Sequence, residues 1–351
     1  MFIPSYRGAA LAMSASLGLV HAGAIAAESI QLYGLADVNV GSYQASGAER
    51  DTRVESGGMT TSYFGIKGEE DLGNGLAATI QLESFVRVDS GDVGRFPNDA
   101  FWARNANVGL RGNFGAVKLG RATTPLFVST LLFNPLGDSF GFSPSIRSFF
   151  GATGKVAGDT GWSNAITWSA PKFGGVGATL QYALGEGSVS GDSIGANLVY
   201  FSGPIGATLA VQQVKATFAS GDETTWQLGG SYNIQGIKAF AQIGRVDEGA
   251  TTVATAATGT TPAGTAPTAT ANTKDTITQL GASMPLGAGS LLASYARGKT
   301  SGARSDKRDF FALGYDYTLS KRTDAYLMTL FDKRDQQSRG TSLAVGVRHR
   351  F

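Results

Sequence analysis

An all-β fold, a 16-stranded antiparallel transmembrane β-barrel, is what this sequence predicts, and three observations predict it. Apolar and polar residues alternate with a period of two through segments of roughly 10 residues, the pattern of strands with lipid on one side and water on the other. Short and long connections alternate along the chain, as they do where tight turns occupy one rim of a barrel and loops the other. The final stretch, Gly340 to Phe351, alternates up to its last residue: Leu343, Val345, Val347 and Phe351 share one face, and Ala344, Gly346, Arg348 and Arg350 the other. A barrel in lipid needs such a last strand to pair with the first, because a bare strand edge has no partner there.

A targeting segment comes first. Arg7 is followed by an apolar run, Ala9 to Val20, and by the small residues Ala24, Ala26 and Ala27. Residues 1–27 therefore read as a signal peptide cut after Ala26 or Ala27. The run is shorter than the roughly 20 residues of a spanning helix, which argues against an uncleaved anchor. Residues 28–351 form the barrel domain. In the first strand Ile30, Leu32, Ala36, Val38 and Val40 oppose Gln31, Tyr33, Asp37 and Asn39. Further on, Val176, Ala178, Leu180 and Tyr182 oppose Thr179 and Gln181, and Trp226, Leu228 and Tyr232 oppose Thr225, Gln227, Ser231 and Asn233.

Strands are expected at about 29–43, 60–71, 76–88, 99–111, 115–121, 161–170, 176–186, 192–201, 205–217, 224–234, 237–247, 275–286, 290–299, 307–318, 322–332 and 340–351. The short turns among them include Leu72 to Gly75, Gly112 to Gly115, Ser202 to Pro204, Gln235-Gly236 and Gly287 to Gly289. The long connections are 44–59, 89–98, 122–160, 187–191, 218–223, 248–273, 300–306 and 333–339. An even strand number puts both ends of the barrel on the short-turn rim. The stretch 248–273 is mostly Ala, Thr, Gly and Pro, the composition of a low-complexity surface loop.

Composition excludes several partners. With 29 basic and 27 acidic residues the net charge is +2, and removing residues 1–27 takes away Arg7 and no acid, leaving +1. Nucleic-acid recognition needs a basic face that this balance does not supply. Without cysteine there is no disulfide framework. No cofactor or metal motif is present, and beyond residue 27 the chain has one histidine, His349, too isolated to serve as a general base. An enzyme is not expected.

Five motifs in chain order carry a family likeness: Gln31-Leu-Tyr-Gly-Leu-Ala-Asp37, Phe64-Gly-Ile-Lys-Gly-Glu-Glu-Asp-Leu-Gly-Asn-Gly75, Phe114-Gly-Ala-Val-Lys-Leu-Gly-Arg121, Leu313-Gly-Tyr-Asp-Tyr-Thr-Leu-Ser-Lys-Arg-Thr323 and Val345-Gly-Val-Arg-His-Arg-Phe351. The chain resembles the trimeric general porins of Gram-negative outer membranes. The resemblance implies an outer-membrane homotrimer that passes small hydrophilic solutes and ions passively, with its third loop folded inward to narrow the pore. That loop would be about 122–160, and its many phenylalanines, Phe127, Phe133, Phe140, Phe142, Phe149 and Phe150 among them, suit a segment packed on an inner wall. The family sets acids on this loop against arginines on the facing wall. Arg104 matches one wall arginine; Tyr63 stands where a second would be, and Gly161 and Trp162 where a third would be. A carboxyl-terminal aromatic, here Phe351, is in the family the signal read by the barrel-assembly machinery.

The expected pore-lining set is Arg104, Tyr63, Lys67, Glu83, Arg87, Asp138 and Arg147, with Asp159 near the far end of the loop. Lys67, Glu83 and Arg87 have lumen parity. Arg104 does not: alternation through 99–111 puts it with Val108 and Leu110 on the lipid side, so a lumen position requires a break in the strand. The alternative function is a substrate-specific channel whose throat is lined by aromatic residues such as Tyr63 and Trp162, because flat apolar faces stack on rings.

Overall fold

In the computed structural model residues 29–151, 154–186, 191–215, 221–249, 252–253, 268–269 and 272–351 are described. The expected signal peptide, 1–27, and most of the expected low-complexity surface loop, 248–273, lie outside them. Sixteen strands form the barrel: β1 Ser29–Tyr43, β2 Tyr63–Gly73, β3 Leu76–Arg87, β4 Asn105–Gly112, β5 Gly115–Thr123, β6 Gly161–Ser169, β7 Val176–Ala183 and β8 Ser193–Ser202, then β9 Ile205–Val214, β10 Glu223–Ile234, β11 Ile237–Glu248, β12 Thr273–Leu286, β13 Gly289–Gly302, β14 Asp306–Thr318, β15 Thr323–Arg334 and β16 Gly340–Arg350. Each pairs antiparallel with the next, and β16 pairs with β1 from Leu35↔Arg350 to Ser42↔Leu343, which closes the sheet. The seam continues one residue further. Gly34 and Phe351 exchange both backbone hydrogen bonds, at 3.2 and 3.1 Å, and the Phe351 ring lies where a Cβ on Gly34 would stand.

The alternation read from the sequence separates the two faces of the wall. Ile30, Leu32, Val40, Leu198, Leu228, Leu343 and Val345 point outward and are exposed, as residues in contact with lipid must be. Asp37, Asn39, Gln181, Asn197, Thr225, Gln227, Gln279 and Ser294 point inward and are buried. Buried polar side chains on an inner wall need partners, and the long connection between β5 and β6 supplies many of them.

That connection carries two short helices, α1 Pro125–Leu132 and α2 Pro144–Phe149. Each starts with proline after a hydroxyl cap: Thr124 accepts from Phe127 N, and Ser143 from Ile146 N. Helix α1 lies against the inner faces of β8–β11. Asn197 Nδ2 donates to Pro125 O (2.9 Å) and Ser129 Oγ (3.0 Å), and Gln242 Nε2 donates to Thr130 O (3.0 Å). Helix α2 presses Phe149 onto Val246, Ile277 and bare Gly244, where a Cβ would meet the phenyl ring at 2.6 Å. Between the helices, Leu136 and Phe142 join Leu292, Phe310, Met328, Tyr326 and Ala344 in one apolar cluster on the opposite inner wall. Phe133, Phe142 and Phe149 are at most 1% exposed. The phenylalanines are therefore consumed in holding the loop against the barrel's inside.

Two expectations need correction. The connection 44–59 is not a plain loop: Asp51–Ser56 forms a strand on the upper half of β1, from Val38↔Ser56 to Tyr43↔Asp51, while β2 takes the lower half of the same edge. Residues 57–62 between them leave the ladder inward. The fourth strand begins at Asn105 rather than 99, because 94–104 is irregular.

Candidate functional site in the barrel lumen

The start of β4 places Arg104. Its backbone N–H still bonds Glu83 O, but the residue precedes the ladder, whose first pair is Glu83↔Asn105. Alternation does not bind a residue outside the ladder, so Arg104 turns to the lumen. Its guanidinium pairs with Glu83 and stacks 3.9 Å from the centroid of the Tyr63 ring. Glu83, 1% exposed, also accepts from Asn105 and from Tyr33 Oη at 2.5 Å. Tyr63 and Tyr33 meet edge to face, and Lys67 Nζ sits 4.8 Å from the Tyr33 ring centre. One contiguous patch on β1–β4 thus contains Tyr33, Tyr63, Lys67, Glu83 and Arg104.

Loop residue Asp138 faces this patch. Thr60 hydrogen-bonds its carboxylate, and both Arg104 and Arg348 act on it. Burial nonetheless pushes its carboxyl above the ordinary aspartate range. Arg348 donates to Thr60 Oγ1 (3.0 Å), Asp324 (2.6 Å) and Asp316 (2.9 Å), and Arg350 donates to Asp324 (2.6 Å).

Three of the other sequence-predicted residues lie elsewhere. Arg87 stands at the long-loop end of β3 and pairs with Asp92 at 3.0 Å, in a local hairpin away from the patch. Arg147 holds the loop itself: Nη1 donates to Phe140 O (3.0 Å) and Gly141 O (3.3 Å), and the guanidinium lies over Phe310. Trp162 is 5% exposed and packed with Ala165, Ala183 and Val214, so its ring is not offered to a solute. Conversely, Lys118 on β5 reaches Gln81 Oε1 at 3.4 Å and joins the patch. Its parity, opposite Val117 and Leu119, would have found it.

Asp159 acts at the mouth. Arg95 bonds Asp99 (2.8 Å) and Asp159 (2.7 Å) together, and Arg121 adds a second cation to Asp159 at 2.6 Å. Burial works against charge on both carboxyls, but the Arg95 contacts outweigh it and hold both below the usual range. A depressed carboxyl stabilises the fold fully above its unfolded value of about 3.9 and loses that contribution as pH falls through the folded value. Protection of the amides around 95–99 and 157–160, taken relative to their intrinsic exchange rates at each pH, should therefore be constant from pH 8 to 5 and fall only below about pH 4. A fall in protection already between pH 7 and 5 would show that carboxylates do not hold this clasp.

A family model described as Gram-negative porin matches residues 9–337. The chain belongs to the Gram-negative porins. It is 30% identical to outer membrane porin protein 32 of Delftia acidovorans, over 97% of this chain and 98% of that one. An outer membrane porin protein of Bordetella pertussis is 26% identical over 97% and 99% of the two chains. Among solved structures, an anion-selective porin from Comamonas acidovorans superposes with a TM-score of 0.77 at 28% identity, covering 93% of this chain and all of that one. This porin stands in the outer membrane as a water-filled channel through which small hydrophilic solutes and ions diffuse down their gradients.

Proposed function

We propose that this porin favours anions and that the loop 122–160 sets the width of its throat. The observation that carries the ion preference is the pairing of charges on the inner wall. Glu83, Asp316 and Asp324 each have an arginine partner. Lys67 and Lys118 have no carboxylate partner among the described residues, and both flank the neutral amide of Gln81. They outnumber Asp138, the loop acid that faces them, on whose carboxylate Arg104 and Arg348 also act. An uncompensated positive field in a narrow throat raises the local anion concentration. The solved relative described as anion-selective is consistent with this reading.

The same proposal takes the protein to be a homotrimer exported with removal of residues 1–27. In a planar bilayer under a potassium chloride gradient, the reversal potential should carry the sign of chloride preference and conductance should close in thirds. A cation-signed potential overturns the anion reading, and single-step closure overturns the trimer. Intact mass of the purified protein checks the cleavage.

Phe351 belongs to this proposal as the residue read by the assembly machinery. Its seam contacts give it a structural role as well, and the two roles are separable. Deleting Phe351 should lower the yield of inserted barrel in cells severalfold. The variant refolded in detergent without that machinery should still close, because its loss removes only the last rung of the β1–β16 ladder. Equal yields in cells would remove the assembly role.

A further inference from the structure

A second polar site lies away from the Tyr63–Arg104 patch, between the chain leaving α2 and the inner faces of β13–β15. It is a cavity of about 380 Å³ whose lining includes Lys155, Gly298, Asp306, Arg308, Phe310 and Arg334. The register places Gly298, Arg308 and Arg334 directly side by side on three adjacent strands. Like charges opposite each other weaken a sheet, and here each arginine is offset by an aspartate on the facing strand, Arg308 by Asp332 and Arg334 by Asp306.

Each cation is held from behind by a carboxylate that leaves donors over. Arg334 gives only Nε to Asp306, at 2.9 Å, and its side chain is 44% exposed. Arg308 gives Nε and Nη2 to Asp332, at 2.8 and 2.6 Å. Lys155 reaches Asp275 and Thr300, both at 3.3 Å. A guanidinium has five N–H donors in a fixed fork, so the terminal nitrogens of Arg334 and one edge of Arg308 are uncommitted beside the cavity. Each of the three cations is balanced by one carboxylate, Asp306, Asp332 or Asp275, so the cavity offers an anion open N–H donors rather than net charge. Phe310, 1% exposed and covered by Arg308, offers no apolar face to a ring. Gly298 supplies the room: a Cβ there would meet nothing within 4 Å.

From this arrangement we infer that the cavity is a docking site for small dianionic oxyanions, held by Arg334, Arg308 and Lys155 beside the path to the throat. The site adds a saturable binding step to the anion pathway proposed above and rests on that reading for its role in transport, though not for the binding itself. Arg–oxyanion forks favour two-oxygen groups such as carboxylate or sulfate.

The test is isothermal titration of the purified porin in detergent with sodium succinate, whose charges are separated, and with sodium sulfate, whose charges are compact. Wild-type protein should bind one or both saturably. Arg334→Gln removes the open fork, and Gly298→Leu fills the space without changing any charge; each should weaken binding at least tenfold. Lys67→Glu, in the other patch, should leave it within twofold. No saturable binding in the wild type, retention in both site variants, or loss confined to Lys67→Glu would each overturn the inference. A cation-signed reversal potential alongside intact, variant-sensitive binding would overturn the ion preference and leave the site standing.

Discussion

Replacing Lys67 and Lys118 together by glutamate should turn this porin from anion-favouring to cation-favouring. The exchange swings four units of charge on the lumen wall around Gln81. A unit charge about 8 Å from a permeating ion acts on it by roughly 0.5 kcal/mol in bulk water and about 2 kcal/mol at an effective dielectric of 20. Even the watery limit gives about 2 kcal/mol for four units, more than the 1.4 kcal/mol that is worth a factor of ten. The chloride-to-potassium permeability ratio should therefore fall at least about tenfold at low salt, and by less at 1 M, where the Debye length shrinks to about 3 Å. The double glutamine variant should fall between the two. Arg104→Glu should move the ratio in the same direction, but it also strands buried Glu83 without its cation, so loss of stability accompanies it. A ratio unchanged in the double glutamate variant would locate the selective field elsewhere.

The barrel was legible in the sequence because lipid and water impose a period of two on every spanning strand, and most strand ends fall within a few residues of where alternation stops. The exceptions share one physical cause. Alternation constrains a side chain only while its backbone is in the ladder. Arg104 lies just outside it, so strict parity put the guanidinium on the lipid side when the irregular stretch 94–104 turns it inward. Residues 57–62 interrupt an edge whose two halves, Asp51–Ser56 and β2, are both plain strands. The charged set was only half legible for a related reason. Parity marks Lys67, Glu83 and Lys118 as inward, but height along the barrel and the choice of partner are tertiary facts. Arg87 is inward yet spent on Asp92, and Arg147, on the loop, is spent on the loop's own carbonyls. The apolar content of 122–160 did announce a packed segment, though not which wall each phenylalanine would meet.

The largest effect on the loop should come from a residue that never touches it. Asp37 is fully buried on the inner side of β1. It accepts from Met59 N and Thr60 N at 2.8 Å each, and from Tyr326 Oη at 2.5 Å. Those contacts hold residues 57–62 in the lumen, and that excursion is the seat of the loop. Ser139 Oγ donates to Gly58 O at 2.7 Å, and Gly141 lies so close to Gly58 that a Cβ would meet its carbonyl oxygen at 2.7 Å. Met59 packs with Leu136 and Phe142, while Thr60 bonds both Arg348 and Asp138. Asp37→Ala leaves three donors without an acceptor in a space too tight for easy rearrangement. At about 1–3 kcal/mol for each unsatisfied buried group, the loss is at least about 3 kcal/mol. The variant should unfold at a clearly lower temperature in detergent and, once its loop is unseated, conduct in larger and noisier steps. Asp37→Asn should recover most of both properties, since its carbonyl oxygen can take the two backbone donors and Tyr326 can accept from its amide as readily as it donates. Wild-type conductance in Asp37→Ala, measured on protein of reduced stability, would separate the seat from the pore and leave the loop held by its phenylalanines alone.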